Sequence, residues 1–198
     1  LLTELGDLVD RFGITGVRLT AYQKLVLIGV APEKVDDVMD ALEVIGLSAR
    51  PSKWRRSTMS CTGIEYCKLA IVNTKDRARE LIDELERRFP DINTDITINV
   101  NGCPNSCARV QTADIGVHGQ LVTTPEGEQV EGYHVQLGGT LAQGDQDATF
   151  GRKVRGLKVT ADELPDYVER LVCRYDAART DGQTFAAWVA DADESDLT

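Results

Sequence analysis

Four of the five cysteines in this 198-residue chain fall into two pairs, Cys61 with Cys67 and Cys103 with Cys107, and this pairing constrains the fold more than any other feature. The second pair follows a β-prone run, Ile96, Ile98 and Val100, and an Asn101-Gly102 turn. Pro104 suits the first position of a helix, which predicts Cys103 and Cys107 on one helix face, one turn apart. Unpaired N–H groups at such an N-terminus favour thiolates by about 0.3–1 kcal/mol. Cys61 and Cys67 are too widely spaced for one helix face, so Cys61 is expected on a loop and Cys67 on a following helix, with Ser60 and Thr62 as caps. Two such corners can converge on one 4Fe-4S cluster with four thiolate ligands. Structural zinc takes tighter cysteine pairs, about two to four residues apart, and inert buried thiols are a third reading; spacing alone leaves all three open. Cys173 lies in an amphipathic run and is expected in the core.

An odd number of cysteines without a secretory signal does not read as a disulfide framework. The net charge of −10 argues against nonspecific nucleic-acid binding. No run approaches the roughly 20 apolar residues of a membrane span. The expectation is a soluble, cytoplasmic chain, disordered only at its acidic last residues. Two basic runs interrupt the acidic background: Arg50, Lys53, Arg55 and Arg56, then Arg152, Lys153, Arg155 and Lys158. Each reads as a solvated face or as a docking surface.

Apolar spacing predicts a helix from Leu1 to Phe12 stopped by Gly13, strands at Val17–Thr20 and Leu25–Val30, and a helix opened by Pro32 that carries Val35, Val38, Met39, Leu42 and Ile45. Helix, strand, strand, helix resembles part of a ferredoxin-like α+β sandwich, begun mid-domain, which suggests a longer parent chain. Arg50 to Trp54 reads as a linker, giving an incomplete half-domain at 1–50 and a second domain at 51–198. In the second, Thr74 caps a helix with Ala78, Leu81, Ile82, Leu85 and Phe89 on one face. A strand spans Asp95–Val100. Strands at Asp114–Val117 and Gly132–Leu137 pair antiparallel across Pro125-Glu126-Gly127-Glu128. Helices around Leu164–Tyr175 and Phe185–Val189 end the chain.

Ser60-Cys61-Thr62-Gly63-Ile64-Glu65-Tyr66-Cys67-Lys68-Leu69-Ala70 and Asn101-Gly102-Cys103-Pro104-Asn105-Ser106-Cys107-Ala108-Arg109 resemble the paired cluster motifs of the ferredoxin-dependent siroheme sulfite and nitrite reductases. Val17-Arg18-Leu19-Thr20-Ala21-Tyr22-Gln23 and Tyr133-His134-Val135-Gln136-Leu137-Gly138-Gly139 extend the likeness, so that it covers essentially the whole chain. The resemblance implies the C-terminal portion of such an enzyme: a partial ferredoxin-like half, then an α+β domain holding a 4Fe-4S cluster. It implies Cys61, Cys67, Cys103 and Cys107 as cluster ligands, with Cys107 shared with the siroheme iron. It further implies six-electron reduction of sulfite to sulfide, or of nitrite to ammonia, with ferredoxin as donor. Arg109 would meet a siroheme carboxylate, Asn101 and Asn105 would donate hydrogen bonds, and Gly63 and Gly102 would let backbone approach closely. The basic residues that grip the substrate in this family have no counterpart here, so no catalytic residue is assigned and the portion alone is expected to be inactive.

Rival readings are a noncatalytic iron-sulfur electron carrier, a zinc-structural domain, and a related scaffold of corrin biosynthesis. His118 and His134, the only histidines, lie on or beside strands and read as structural. No glycine-rich phosphate loop is present.

Overall fold

A computed structural model of the chain describes residues 1–142 and 147–198. It divides into two compact units, Leu1–Ser52 and Lys53–Thr198.

In the first unit, α1 (Leu2–Phe12) ends where Gly13 takes the left-handed conformation at φ 67°. A hairpin of β1 (Gly16–Leu19) and β2 (Leu25–Ile28) pairs antiparallel, and a 3-10 turn at Pro32–Lys34 leads into α2 (Val35–Val44). Leu5, Leu8, Ile14, Val38 and Leu42 form its core. Val35 is exposed rather than buried, because the proline turn makes it the first α-helical residue, outside the stripe that carries Val38 and Leu42.

The second unit does not open on a linker. Lys53–Ser57 form a short helix, α3, whose Trp54 is 1% exposed and packs on Phe89 with ring centroids 6.0 Å apart. It feeds β3 (Thr58–Ser60), after which α4 (Lys75–Arg88) crosses to β4 (Ile98–Asn101) in a parallel connection. β5 (Ile115–Thr123) pairs parallel to β4, and β6 (Gln129–Leu137) returns antiparallel along all nine residues of β5. Two-residue strands β7 (Arg152–Lys153) and β8 (Val159–Thr160) both pair with β6, completing a six-stranded sheet. α5 (Leu164–Ala178) and α6 (Phe185–Asp191) follow.

Strand alternation gives the sheet two unlike faces. Ile98, Val100, Ile115, Val117, Tyr133, Val135 and Leu137 join Leu81 and Leu85 of α4 and Tyr167, Val168 and Leu171 of α5 in one apolar core. The intervening residues are Asn99 and Asn101 on β4, His118 and Gln120 on β5, and His134 and Gln136 on β6. At the start of β4, Thr97 brackets the neighbouring strand: its N–H and hydroxyl donate to Asp114 Oδ2 at 2.9 and 2.7 Å, and its hydroxyl accepts from the Asp114 N–H at 2.8 Å.

Two expectations fail here, and the first basic run proves to be engaged in local ion pairs. The acidic tail is ordered: Leu197 is 1% exposed and its carbonyl accepts from the Tyr167 hydroxyl at 2.8 Å. Cys173 is exposed, because the buried stripe of α5 runs through Leu171, Val172 and Tyr175 and leaves residue 173 outside its arc. The first basic run is neutralised locally. Arg55 pairs with Asp83 and Glu86 at 2.8 and 2.7 Å, Arg56 and Lys53 with Asp95 at 3.4 and 3.6 Å, and Arg50 with Asp40 at 3.5 Å.

Candidate functional site

The parallel register of β3 and β4 fixes where the cysteines emerge. Ser60 lies opposite Val100, so Cys61 and Cys103 leave the same, C-terminal, end of two adjacent strands, which stand about 4.8 Å apart. In open sheets with parallel strands this end is where ligands collect. The Cys61 N–H donates to the Val100 carbonyl at 2.9 Å, and the Gly102 N–H donates to Cys61 Sγ at 3.2 Å. A backbone donor aimed at sulfur stabilises the charged thiolate that an iron ligand must be.

Neither cysteine segment is helical, contrary to the sequence reading. Cys67 closes a single turn, its N–H donating to the Gly63 carbonyl at 3.0 Å, and the chain then runs on through bends. Gly63 adopts φ 80°, and a Cβ there would lie 2.4 Å from Thr74 Oγ1. Between Cys103 and Val110, Ser106 and Arg109 both take positive φ, 58° and 53°, and two left-handed residues cannot belong to a right-handed helix. Pro104 therefore starts a turn.

Side chains replace helix bonds in holding this second loop. Asn101 is fully buried; its Oδ1 accepts from the Ala108 N–H at 2.7 Å while its Nδ2 lies 3.4 Å from the Cys103 carbonyl. Its amide braces the loop from within. Asn105 is exposed at the loop tip. Arg109 is half-buried, with Nη2 3.7 Å from Met59 Sδ and its carbonyl accepting from Asn99 Nδ2 at 3.1 Å. The two loops are also tied to each other, since the Ile71 N–H donates to the Gly102 carbonyl at 2.7 Å. A side chain at Gly102 would be tight, because a Cβ would stand 3.0 Å from Ala70 Cβ and 3.2 Å from the Val72 carbonyl, so both loops would have to give by a few tenths of an ångström.

Cys103 is 7% exposed, Cys61 and Cys67 are half-buried, and Cys107 is exposed. Among the described residues no three His, Cys, Asp or Glu side chains stand close enough to hold a single metal ion. Thiolates around one zinc would lie about 4 Å apart, given Zn–S bonds near 2.3 Å in a tetrahedron, whereas a four-iron cube spreads its ligands wider. Two cysteine-bearing loops tied to each other by a hydrogen bond, with one N–H directed at sulfur and one exposed thiol, suit a four-thiolate cluster.

Sequence reasoning missed two supporting residues. Thr74 occupies the N-cap position of α4 but does not cap it; its hydroxyl donates to the Cys61 carbonyl at 2.8 Å, and Asn73 Oδ1 takes the Asp76 N–H at 3.3 Å instead. Gly119 of β5 lies under the second loop, where a Cβ would meet the Gly102 carbonyl oxygen at 2.7 Å. Neither has a local signal, since each acts on a segment distant in sequence.

Residues 52–195 match the family described as "Nitrite and sulphite reductase 4Fe-4S domain", and residues 1–45 match the "Nitrite/Sulfite reductase ferredoxin-like half domain". "Sulfite reductase [ferredoxin] 2" of Mycolicibacterium paratuberculosis is 50% identical over 201 residues, covering 100% of this chain and 36% of that protein. An assimilatory ferredoxin-dependent nitrite reductase of Haloferax mediterranei is 34% identical over 188 residues, covering 94% of this chain and 31% of that protein. The solved structure of the Mycobacterium tuberculosis NirA protein superposes with a TM-score of 0.94 at 49% identity, covering all of this chain and 36% of that one. The chain thus spans about a third of the length of such relatives. Among the described residues no helix is long and apolar enough to cross a membrane. With a family match across most of its length and a fold that agrees, the chain belongs to the nitrite and sulphite reductase 4Fe-4S domain family.

Proposed function

We propose that this chain is the cluster-bearing portion of a cytoplasmic, ferredoxin-dependent sulfite reductase, in which Cys61, Cys67, Cys103 and Cys107 hold a 4Fe-4S cluster and Cys107 is shared with siroheme. The observation that carries this reading is the register of β3 with β4, which delivers both cysteine loops to one end of the sheet and ties them together. When bound, the two cofactors supply the six-electron chemistry that reduces sulfite to sulfide.

The chain's own residues position and insulate. Gly102 N–H and the Thr74 hydroxyl fix Cys61, Asn101 fixes the turn between Cys103 and Cys107, and the buried Cys103 keeps water from the inner side. The outward Cys107 and the half-buried Arg109 stand on the exposed side, where a guanidinium suits a siroheme carboxylate. In this division of labour, residues 51–198 hold the cofactors and 1–50 are one half of a ferredoxin-like domain. The residues that would grip the anion belong to the remainder of a longer enzyme. The sulfite reductase relative stands at 50% identity and the nitrite reductase at 34%, which favours sulfite.

Anaerobic reconstitution with iron and sulfide tests the ligand set. The expected yield is about four irons and four sulfides per chain, falling sharply in Cys61→Ser, Cys67→Ser and Cys103→Ser. One equivalent of zinc with no labile sulfide, or full iron loading in those variants, would overturn it.

A further inference from the structure

Both cysteine loops lean on a third segment, residues 71–74, which belongs to no strand or helix. Its first residue holds the donor of the bond made to sulfur: the Ile71 N–H donates to the Gly102 carbonyl at 2.7 Å, and the Gly102 N–H donates to Cys61 Sγ. Its last residue holds the acceptor. The Thr74 hydroxyl donates to the Cys61 carbonyl at 2.8 Å, and Cys61 Sγ lies 3.8 Å from the same hydroxyl oxygen. Between them Val72 is fully buried and Asn73 is gripped from β6. The Asn73 N–H donates to Glu131 Oε1 at 3.0 Å, and the Asn73 carbonyl accepts from the Tyr133 hydroxyl at 3.2 Å. Glu131 and Tyr133 stand two residues apart on one strand, so they share a face and meet both backbone groups of a single residue. The Asn73 side chain is engaged elsewhere, with Asp76. Tyr133 is fully buried in the core, where a phenylalanine would fill the same space, so the hydroxyl is what this position adds. Burial first, then the charge of Glu131, pushes the phenol above its ordinary value and keeps it a donor at neutral pH.

We propose that Tyr133, with Glu131, is a positioning residue of the cysteine site: by fixing Asn73 it holds Ile71 and Thr74, and through them sets the hydrogen bond from the Gly102 N–H to the Cys61 sulfur that raises the reduction potential of the cluster. The redox part rests on Cys61 being a cluster ligand, whereas the hold on the hydrogen bond needs no metal. An N–H aimed at a ligand sulfur stabilises negative charge there, and more so when the cluster carries an extra electron. Loosening that bond therefore lowers the potential.

The test is Tyr133→Phe, which keeps the ring and removes the O–H. Amide exchange of Gly102 is read by NMR in the metal-free chain, and the reduction potential is read by dye-mediated titration of the chain reconstituted with iron and sulfide. Expected are Gly102 exchange faster by about fivefold or more and a potential lower by about 30 mV, roughly a threefold change in a one-electron equilibrium. Iron and sulfide should stay at about four each. Tyr167→Phe removes a hydroxyl of the same kind, 2.8 Å from the Leu197 carbonyl in the same core, and should move neither reading. Glu131→Leu, at a half-buried position, frees the Asn73 N–H and should also speed Gly102 exchange, while Glu131→Gln keeps an acceptor and should leave it as in the parent. Unmoved Gly102 exchange in Tyr133→Phe and Glu131→Leu, an unmoved potential in a cluster-loaded Tyr133→Phe chain, or equal shifts in Tyr167→Phe would overturn the proposal. A parent chain that takes up no iron and sulfide, yet whose Gly102 exchange responds to these substitutions, would instead remove the ligand assignment and leave the positioning of Cys61 standing.

Discussion

Replacing Gly116 by alanine should damage the second cysteine loop from below. Gly116 has no positive φ, so the cost is steric, not conformational. A Cβ there would sit 2.0 Å from the Val110 carbonyl oxygen, 2.7 Å from its carbon and 3.0 Å from its Cα, all backbone atoms. The 3-10 turn at Val110–Thr112 would have to retreat by roughly 1.4 Å to reach ordinary contact, and it has little room to do so. Its Gln111 carbonyl accepts from the Gly151 N–H at 2.8 Å and lies 2.2 Å from where a Cβ on Gly139 would be. Overpacking costs about 1–3 kcal/mol, and a backbone clash held on two sides belongs at the upper end, near 3. Both tryptophans, Trp54 and Trp188, lie in the second unit, so fluorescence during urea unfolding reports on that unit alone. With a slope of about 1–3 kcal/mol per molar urea, the midpoint should fall by roughly 1–3 M. Iron uptake should fall with it, because Arg109 and Cys107 precede the displaced turn. A midpoint shifted by less than about 0.3 M, with iron loading intact, would refute the claim that close approach of this turn to β5 sets the loop.

Arg88 ties α4 to α5 through Asp166 and Glu169 at 2.7 and 2.6 Å while also reaching Glu84 at 3.1 Å; Arg88→Ala leaves three carboxylates together and should cost about 1 kcal/mol, less at high salt, as read from urea midpoints in two salt concentrations. Gly6 is exposed inside α1, and a Cβ added there would meet nothing within 4 Å, so Gly6→Ala should stabilise the first unit by about 0.5–1 kcal/mol, seen as slower amide exchange in α1. Desolvation first, then the charges of His134, Lys153 and Lys158, lowers the folded-state pKa values of His118 and His134. The stability linked to these imidazoles is therefore present above the unfolded value near 6.5 and is lost as pH falls through the folded values, so His118→Gln/His134→Gln should lose less stability than the parent between about pH 7.5 and 5; equal losses would contradict the sign.

Apolar spacing made the helices legible: α1 stops at Gly13, and α5 buries the stripe read from its sequence, because period and stop signal are local. The four cysteines were legible as two pairs for the same reason. Their local conformation was not. A proline after Cys103 favours a helix start, but the left-handed Ser106 and Arg109 accompany side-chain hydrogen bonds of Asn101, Gln111 and Asn99, which lie nearby in sequence yet leave no mark on the apolar spacing. Trp54 and Leu197 illustrate the same limit. One sits in a proline-flanked polar run and the other in an acidic tail, yet each is drawn into the core by packing partners far away in sequence.

The proposed ligand cysteines stand on irregular loops, which by themselves would place sulfur atoms loosely, and a shared cluster would require fixed positions. Precision here comes from the sheet. A one-residue slip of β3 against β4 would exchange the faces of Thr58, Met59 and Ser60, all of them buried, and carry Cys61 away from the Gly102 N–H, so burial on both faces of β3 enforces the register that the site needs. The two glycines of β5 act in opposite directions across the same sheet: Gly119 admits the Gly102 carbonyl on the core side, and Gly116 admits Val110 on the other. The second cysteine loop is thereby gripped at both ends by a strand that carries no cysteine. Core packing and cofactor geometry are consequently one constraint in this domain, and substitutions in β5 should disturb metal loading as surely as substitutions beside the thiols.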